Sequence, residues 1–311
     1  MPKLNLVTLF LLVSLLFTGC HADKKLSLSN QPLKGIATES FLADIAQNIA
    51  GDRVSVLSLI PVGIDPHTFE PVPDDVVKIS ESRILIINGA GLEEWLQPLL
   101  NNAQGQNLVI TASKGLTSRK PEISEQGLFS NKNEVDPHFW LDPNLVITYV
   151  ENIRDGLIET DPAGTKYYET NANNYISQLI DLDQWIRAKV EEIPADQRLL
   201  VTNHENLGYF ADRYGFTVIG TIIPGTSTDT SPSAKGISDL VDKIQSTGSK
   251  AIFLESGSNS DLATQIANDT GIKVISDLFA HALSDPDGPA PTYIKMMKYN
   301  VNAIVNALKE N

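Results

Sequence analysis

Four of the five histidines in this chain, His67, His138, His204 and His281, are spread almost evenly along it. Each follows or ends an apolar run and opens a loop or a helix. The first two share a tripeptide, Asp65-Pro66-His67 and Asp136-Pro137-His138. Imidazole is the commonest protein ligand for a transition metal. Four that converge would form a closed, nitrogen-rich pocket of the kind zinc accepts. A lone histidine beside a strand is more often a hydrogen-bonded core or surface residue, so the argument rests on the repetition. The flanking prolines fix φ and stiffen the loops, so less ordering entropy opposes capture of an ion. Asp65 and Asp136 are open to two readings, as acceptors that orient a ring or as caps of the turn that Asp-Pro favours.

The elements that must position these residues can be read from apolar spacing. Strand-like runs are Leu33–Ala37, Val54–Leu59, Ile84–Ile87, Leu108–Thr111, Leu199–Val201, Thr217–Ile223, Ala251–Leu254 and Lys273–Ile275. Helical patterns lie between them, at Phe41–Ala50, Asp74–Ser82, Glu93–Asn101, Glu205–Tyr214, Ser233–Ser246 and Ser258–Asp269. Strands that alternate with helices imply parallel sheets with helices on both faces. The strands fall equally before and after the middle, which predicts an α/β fold of two doubly wound lobes. Ligands of such sheets bind beyond the carboxyl ends of the strands, and each candidate histidine can be placed near such an end. Between the lobes, Thr165–Ile193 contains no proline or glycine. Its apolar residues recur at three and four, which predicts one rigid helix of about 28 residues, roughly 42 Å long; two helices with an unmarked break are the alternative. The expected division is a leader over 1–19, a tether over 20–31, an N-terminal lobe over 32–160, a linking helix over 161–194 and a C-terminal lobe over 195–311. Leu116–Val135 is polar and irregular and reads as a surface loop.

Composition sets limits. The chain has 311 residues, 42% hydrophobic and 20% charged, with a formal net charge of -14. Nucleic acid calls for a basic face, so no nucleic-acid partner is expected. Acidity suits weak attraction of cations, and equally suits solubility alone. At the N-terminus, Lys3 precedes the apolar stretch Leu4–Phe17, which is too short for a comfortable membrane span. The stretch ends in Leu16-Phe17-Thr18-Gly19-Cys20, which resembles a bacterial lipoprotein processing site with Cys20 as the lipidated residue. Cys20 is the single cysteine, so no disulfide forms within the chain. His21 belongs to the polar tether.

The lipoprotein-like start, Asp65-Pro66-His67-Thr68-Phe69-Glu70-Pro71 and Asp136-Pro137-His138-Phe139-Trp140-Leu141-Asp142-Pro143 resemble the zinc/manganese-binding proteins of bacterial ABC importers. So do His204-Glu205-Asn206-Leu207-Gly208-Tyr209-Phe210 and Gly288-Pro289-Ala290-Pro291-Thr292-Tyr293. The resemblance covers essentially the whole chain after the tether. It implies two α/β lobes joined by one long helix, a metal in the cleft between them, and little lobe movement on binding. It also implies a monomer anchored by lipid on the extracytoplasmic side of a bacterial membrane, delivering its ion to a permease. By motif, His67 and His138 match the two ligands of the N-terminal lobe. His204 matches a third, which is His in many zinc-type members and Glu in typical manganese-type ones. The fourth is commonly Asp; here His281 occupies the matching position, and the nearby carboxylates Asp277 and Asp285 are the alternatives for it.

Four imidazoles favour zinc, because manganese prefers oxygen ligands. Manganese remains the alternative, since the histidine-rich loop of many zinc-type relatives is missing between Leu116 and Val135. Loss of affinity is expected as the histidines protonate, near pH 6.5 or below. Readings of another class are a zinc-dependent hydrolase with His281 outside the shell, or a surface adhesin. A closed site argues against catalysis, and the chain contains no Gly-x-Ser-x-Gly, His-Glu-x-x-His or phosphate loop.

Overall fold

The computed structural model describes residues 32–103, 107–119 and 135–309. The leader, the tether with Cys20 and His21, and most of the loop expected at 116–135 lie outside the described residues.

Two four-stranded sheets, both wholly parallel, carry the fold. The first contains β1 (Leu33–Ala37), β2 (Val54–Ser58), β3 (Ile84–Ile87) and β4 (Leu108–Thr111), in the order β2-β1-β3-β4. The second contains β5 (Leu199–Thr202), β6 (Thr217–Thr221), β7 (Ala251–Glu255) and β8 (Lys273–Leu278), in the order β6-β5-β7-β8. Covered on both faces, the inner strands read as unbroken apolar runs; Ile84, Leu85 and Ile86 have no exposed surface. In each sheet the chain moves outward to one side of the first strand and then returns to its other side. The order therefore reverses between β1 and β3 and between β5 and β7, and the crevice at such a reversal is where open α/β sheets hold ligands.

Helices fill the connections. In the first lobe these are α1 (Ser40–Ala50), α2 (Pro73–Glu81), α3 (Leu96–Ala103) and α4 (Val146–Thr160). After them comes α5 (Thr165–Val190), and then α6 (Gly208–Tyr214), α7 (Ala234–Thr247), α8 (Asp261–Thr270) and α9 (Tyr293–Lys309). Phe41, Leu42, Ile45, Ala46 and Ile49 form the buried stripe of α1, and Gly51 ends it at φ 52. A side chain at Gly51 would strike Tyr167 of α5, so glycine is required there both for its left-handed backbone and for the close approach.

The linking helix is unbroken, 26 residues long, about 39 Å at 1.5 Å per residue. Its buried positions Tyr168, Ala172, Tyr175, Leu179, Leu182, Ile186 and Val190 keep the three-and-four spacing. It ends at Val190 rather than Ile193 because Glu191–Ile193 turns toward Pro194, and residues before proline avoid the helical region. Near its start Asn171 Nδ2 donates to Ile49 O of α1 (3.1 Å), and near its end Asp183 accepts from Arg213 and Tyr214 of α6 (3.0 Å each). The largest apolar cluster is continuous through both lobes, joining Phe41, Trp140 and Tyr149 to Leu179, Phe253, Tyr293 and Met296. Smaller clusters cover the outer faces of the two sheets. A shared core of this kind opposes hinge motion, since opening it would expose apolar surface.

Several helical boundaries differ from the sequence reading, two of them at helix starts beside the site. The helix expected from Glu93 starts at Leu96, because Glu93 turns inward to accept from the backbone N–H groups of Asn88 (2.6 Å) and Gly89 (3.0 Å). The helix expected from Glu205 starts at Gly208, because His204 and its neighbours form a turn. Helices α4 and α9 were not marked at all by the pattern of runs.

Candidate metal centre

His67 lies in the loop that leaves β2. Pro61, Pro66 and Pro71 stiffen this loop, and Gly63 turns it at φ 81. The Asp65 carboxylate accepts the His67 backbone N–H (2.9 Å). Trp95 Nε1 donates to Pro66 O (3.0 Å), and Phe69 meets the Trp95 ring edge-on with centroids 4.8 Å apart. The loop is thus pinned on both sides of the histidine.

His138 opens the short 3-10 turn Phe139–Leu141. Asp136 Oδ1 accepts both its backbone N–H (3.0 Å) and its ring Nδ1–H (2.9 Å). The carboxylate therefore fixes the tautomer and leaves the Nε2 lone pair pointing inward. Asn88 Nδ2 donates to Pro137 O (3.1 Å), anchoring this strap to the end of β3. Across the seam, Trp140 Nε1 donates to Ala280 O (2.6 Å) and Tyr293 OH donates to Trp140 O (2.6 Å). Arg119 lies 3.5 Å from Asp136 and packs on Gly208, where any side chain would collide with the guanidinium.

His204 follows β5, its carbonyl accepting from Thr202 Oγ1 (2.7 Å). Its Nδ1 stands 3.2 Å from Glu255 Oε1 at the end of β7. That distance is an ion pair's, yet Nδ1 makes no hydrogen bond of acceptable geometry. Glu255 acts on this ring by charge, its own oxygens being held by Asn206 Nδ2 and by Ser258 Oγ (3.0 Å). His281 follows β8. The approach to it is fixed by the buried Asn300 of α9, which accepts from Phe279 N and donates to Phe279 O (2.9 Å each).

The four ring nitrogens meet. His138 Nε2 is 3.2 Å from His67 Nε2, 3.2 Å from His281 Nε2 and 3.3 Å from His204 Nε2. All four ligand atoms lie within 4.8 Å of one another. Nitrogens about 2.05 Å from one zinc ion at tetrahedral angles would stand about 3.3 Å apart. One lone pair cannot accept three N–H groups at once, so hydrogen bonding among the rings does not account for the cluster, whereas the spacing is one that donors around a single cation could adopt. Asp277 and Asp285 are both exposed and stand outside the group of four.

The electrostatics favour neutral rings at His67, His138 and His281. Burial, with like charges at His281 and His204, brings His67 down to about 2. Burial and the other three rings hold His138 well below the usual imidazole range. Burial and His204 outweigh the pull of Glu255 and Asp65 and place His281 at about 4. For these three rings the expected window near pH 6.5 therefore moves down, and their lone pairs stay free through mild acid. Burial pushes Asp136 up to about 7, against the His138 N–H and Arg119. Glu255 is also buried, but His204 wins and draws it down to about 2.

Glu255 was legible in principle, since it closes the apolar run Ala251–Leu254 at the same kind of junction as His204. Asn206, Asn300 and Arg119 carry no such signal, because their roles depend on contacts distant in the chain. Among the described residues no helix is long and apolar enough to cross a membrane.

The family model for the zinc-uptake complex component A, periplasmic, matches residues 36–307. The chain is 35% identical over 311 residues to the manganese-binding lipoprotein MntA of Halalkalibacterium halodurans, covering 100% of both. It is 32% identical over 315 residues to the manganese ABC transporter substrate-binding lipoprotein PsaA of Streptococcus pneumoniae, covering 99% of each. Among solved structures, the periplasmic zinc binding protein TroA from Treponema pallidum superposes with a TM-score of 0.80 at 28% identity, over 90% of this chain and 100% of that one. A Mn-bound periplasmic metal binding protein from Candidatus Liberibacter asiaticus gives 0.77 at 29%, over 89% and 99%.

Proposed function

We propose that this chain, which belongs to the zinc-uptake complex component A family of ABC-transporter solute-binding proteins, captures a zinc ion outside the cytoplasm and delivers it to a membrane permease. The family is one of solute-binding proteins and not of enzymes. The observation that carries the choice of ion is the donor set: His67, His138, His204 and His281 offer four imidazole nitrogens and no carboxylate. Such a set suits zinc, whereas manganese favours oxygen. Their assignment as ligands rests on the distances among the four Nε2 atoms. No position is left over for a reactive water, so the ion is cargo.

Manganese is the second reading. It is favoured by the relatives MntA and PsaA, whose names specify that metal. Equilibrium dialysis against both ions decides: this account expects one zinc per chain, retained against a large excess of manganese. Equal retention of zinc by the His67→Ala, His138→Ala double variant would refute the site. Lipid attachment at Cys20, after removal of residues 1–19, would hold the monomer at the membrane by a tether over 20–31. Cys20→Ser should then release the protein to the soluble fraction. The continuous core through both lobes supports capture with little lobe movement, so that loops rather than domains admit the ion.

A further inference from the structure

The metal reading leaves open how a nearly enclosed ion enters and leaves. Of the four histidines, His67 and His281 are buried less completely than His138 and His204. A pocket of about 120 Å³ reaches His281 from the surface. One wall is the His67 loop, Val62 to Asp65; the other includes Thr228, Gly257 and Ala282 of the second lobe. Val62 and Ile64 are about half exposed at its rim. Elsewhere the lobes are fastened together by several bonds, including Trp140 to Ala280, Tyr293 to Trp140, and the Ser40 Oγ that accepts from Leu283 N (2.8 Å). Along the His67 loop the fastening is different in kind. Thr228 Oγ1 donates to Asp65 Oδ2 at 2.5 Å, while the other oxygen of the same carboxylate holds the His67 N–H.

Thr228 is itself well placed to act on both lobes. Three residues before it, Gly225 O accepts the backbone N–H of Glu205 (2.9 Å), next to His204. Thr230 Oγ1 closes the same turn on Pro224 O (2.9 Å). The turn between β6 and α7 thus links His204 of the second lobe, through Thr228 and Asp65, to His67 of the first.

Resting on the metal reading above, we propose that Thr228 is a positioning residue that latches the His67 loop over the ion, and that release proceeds through the adjoining pocket when this bond opens. The hydroxyl touches no ion; it sets how long Asp65 keeps His67 in place. A hydrogen bond to a charged acceptor is among the stronger ones, and its loss should appear in the dissociation rate more than in the association rate.

The test is stopped-flow release of zinc into an excess of chromophoric chelator, using the full chain. Thr228→Val, which keeps the side-chain shape, should raise the dissociation rate roughly tenfold, equivalent to about 1.4 kcal/mol. Thr228→Ala should do the same, and Thr228→Ser, which restores the hydroxyl, should return the rate to that of the wild type. Thermal unfolding of the metal-free variants should stay cooperative, with Val and Ala lowered alike and Ser matching the wild type, which shows that all of them fold. A Val variant within twofold of wild type would overturn the latch, as would equal acceleration by Ser and Val. Failure of the wild type to take up zinc would instead overturn the metal reading.

Discussion

Removing the Asp136 carboxylate tests the idea that a buried acid prepares His138 for the ion. Asp136 Oδ1 holds both the backbone N–H and the ring Nδ1–H of His138, at 3.0 and 2.9 Å. In Asp136→Ala this shared acceptor vanishes and the ring is free to turn or to move its proton to Nε2, which would block the lone pair facing His67, His204 and His281. Loss of such an orienting partner typically weakens metal affinity 10- to 100-fold, about 1.4 to 2.8 kcal/mol. The fold should survive, because Arg119, freed from Asp136, keeps its bond to Asp212 (3.0 Å). Asp136→Asn keeps one acceptor oxygen and should lie between the two. The assay is competition for zinc against a chelator of known affinity at pH 7.5, with thermal unfolding of the metal-free proteins as the control. An Ala variant within twofold of wild type would refute the reasoning, since the ring would then be oriented by packing alone.

Three further predictions concern stability. His67 and His281 sit at about 2 and about 4 when folded, against about 6.5 in an unfolded chain. Their contribution is present above pH 6.5 and is lost as pH falls toward their folded values, by up to about 1.4 kcal/mol per unit for each. Metal-free protein should therefore lose thermal stability between pH 6.5 and 4.5, and a flat profile would contradict this. At Glu39 the sign is reversed. Thr38 Oγ1 stands 2.8 Å from Glu39 Oε2 and 2.9 Å from Glu93 Oε1 and has one proton to give. Glu93 already receives two backbone N–H groups, so Glu39 carries the proton, raised well above the usual range by burial and then by Glu93. Its contribution is full below about pH 4.3 and fades as pH rises. Glu39→Gln should thus gain on the wild type in melting temperature from pH 5 to pH 8, and a constant difference would count against a buried neutral acid. Trp140 is fully buried, stacks on Phe41 (4.5 Å) and bonds Ala280 across the seam. Trp140→Ala should cost about 3–5 kcal/mol by denaturant unfolding, and a loss below about 1.5 kcal/mol would mean the strap is held elsewhere.

The strands were legible because parallel, doubly covered strands are written as short apolar runs between turn residues, as in Leu33–Ala37 and Ala251–Leu254. The long helix was legible because nothing in Thr165–Val190 breaks its spacing. Helix α9 was harder, although Tyr293, Met296, Met297, Val301, Ile304 and Leu308 keep the same spacing. Asn300 stands inside that buried stripe as a polar residue, and its purpose appears only once both ends of its amide are seen on Phe279. The four histidines stood out by their places at strand ends, and His67 and His138 also by the Asp-Pro before them. That their nitrogens approach one another is a matter of distances, set by two sheets, a linking helix and a shared core, and no local pattern encodes it. The carboxylates that tune the rings divide in the same way. Asp65 and Asp136 stand two residues before their histidines, whereas Glu255 reaches His204 from a neighbouring strand.

The most direct measurement is anomalous scattering at the zinc and manganese edges from crystals of protein purified without chelators or tags. The account predicts one zinc ion per chain, about 2.0–2.1 Å from the Nε2 atoms of His67, His138, His204 and His281. A peak at the manganese edge alone, or an ion bound away from these four nitrogens, would contradict it.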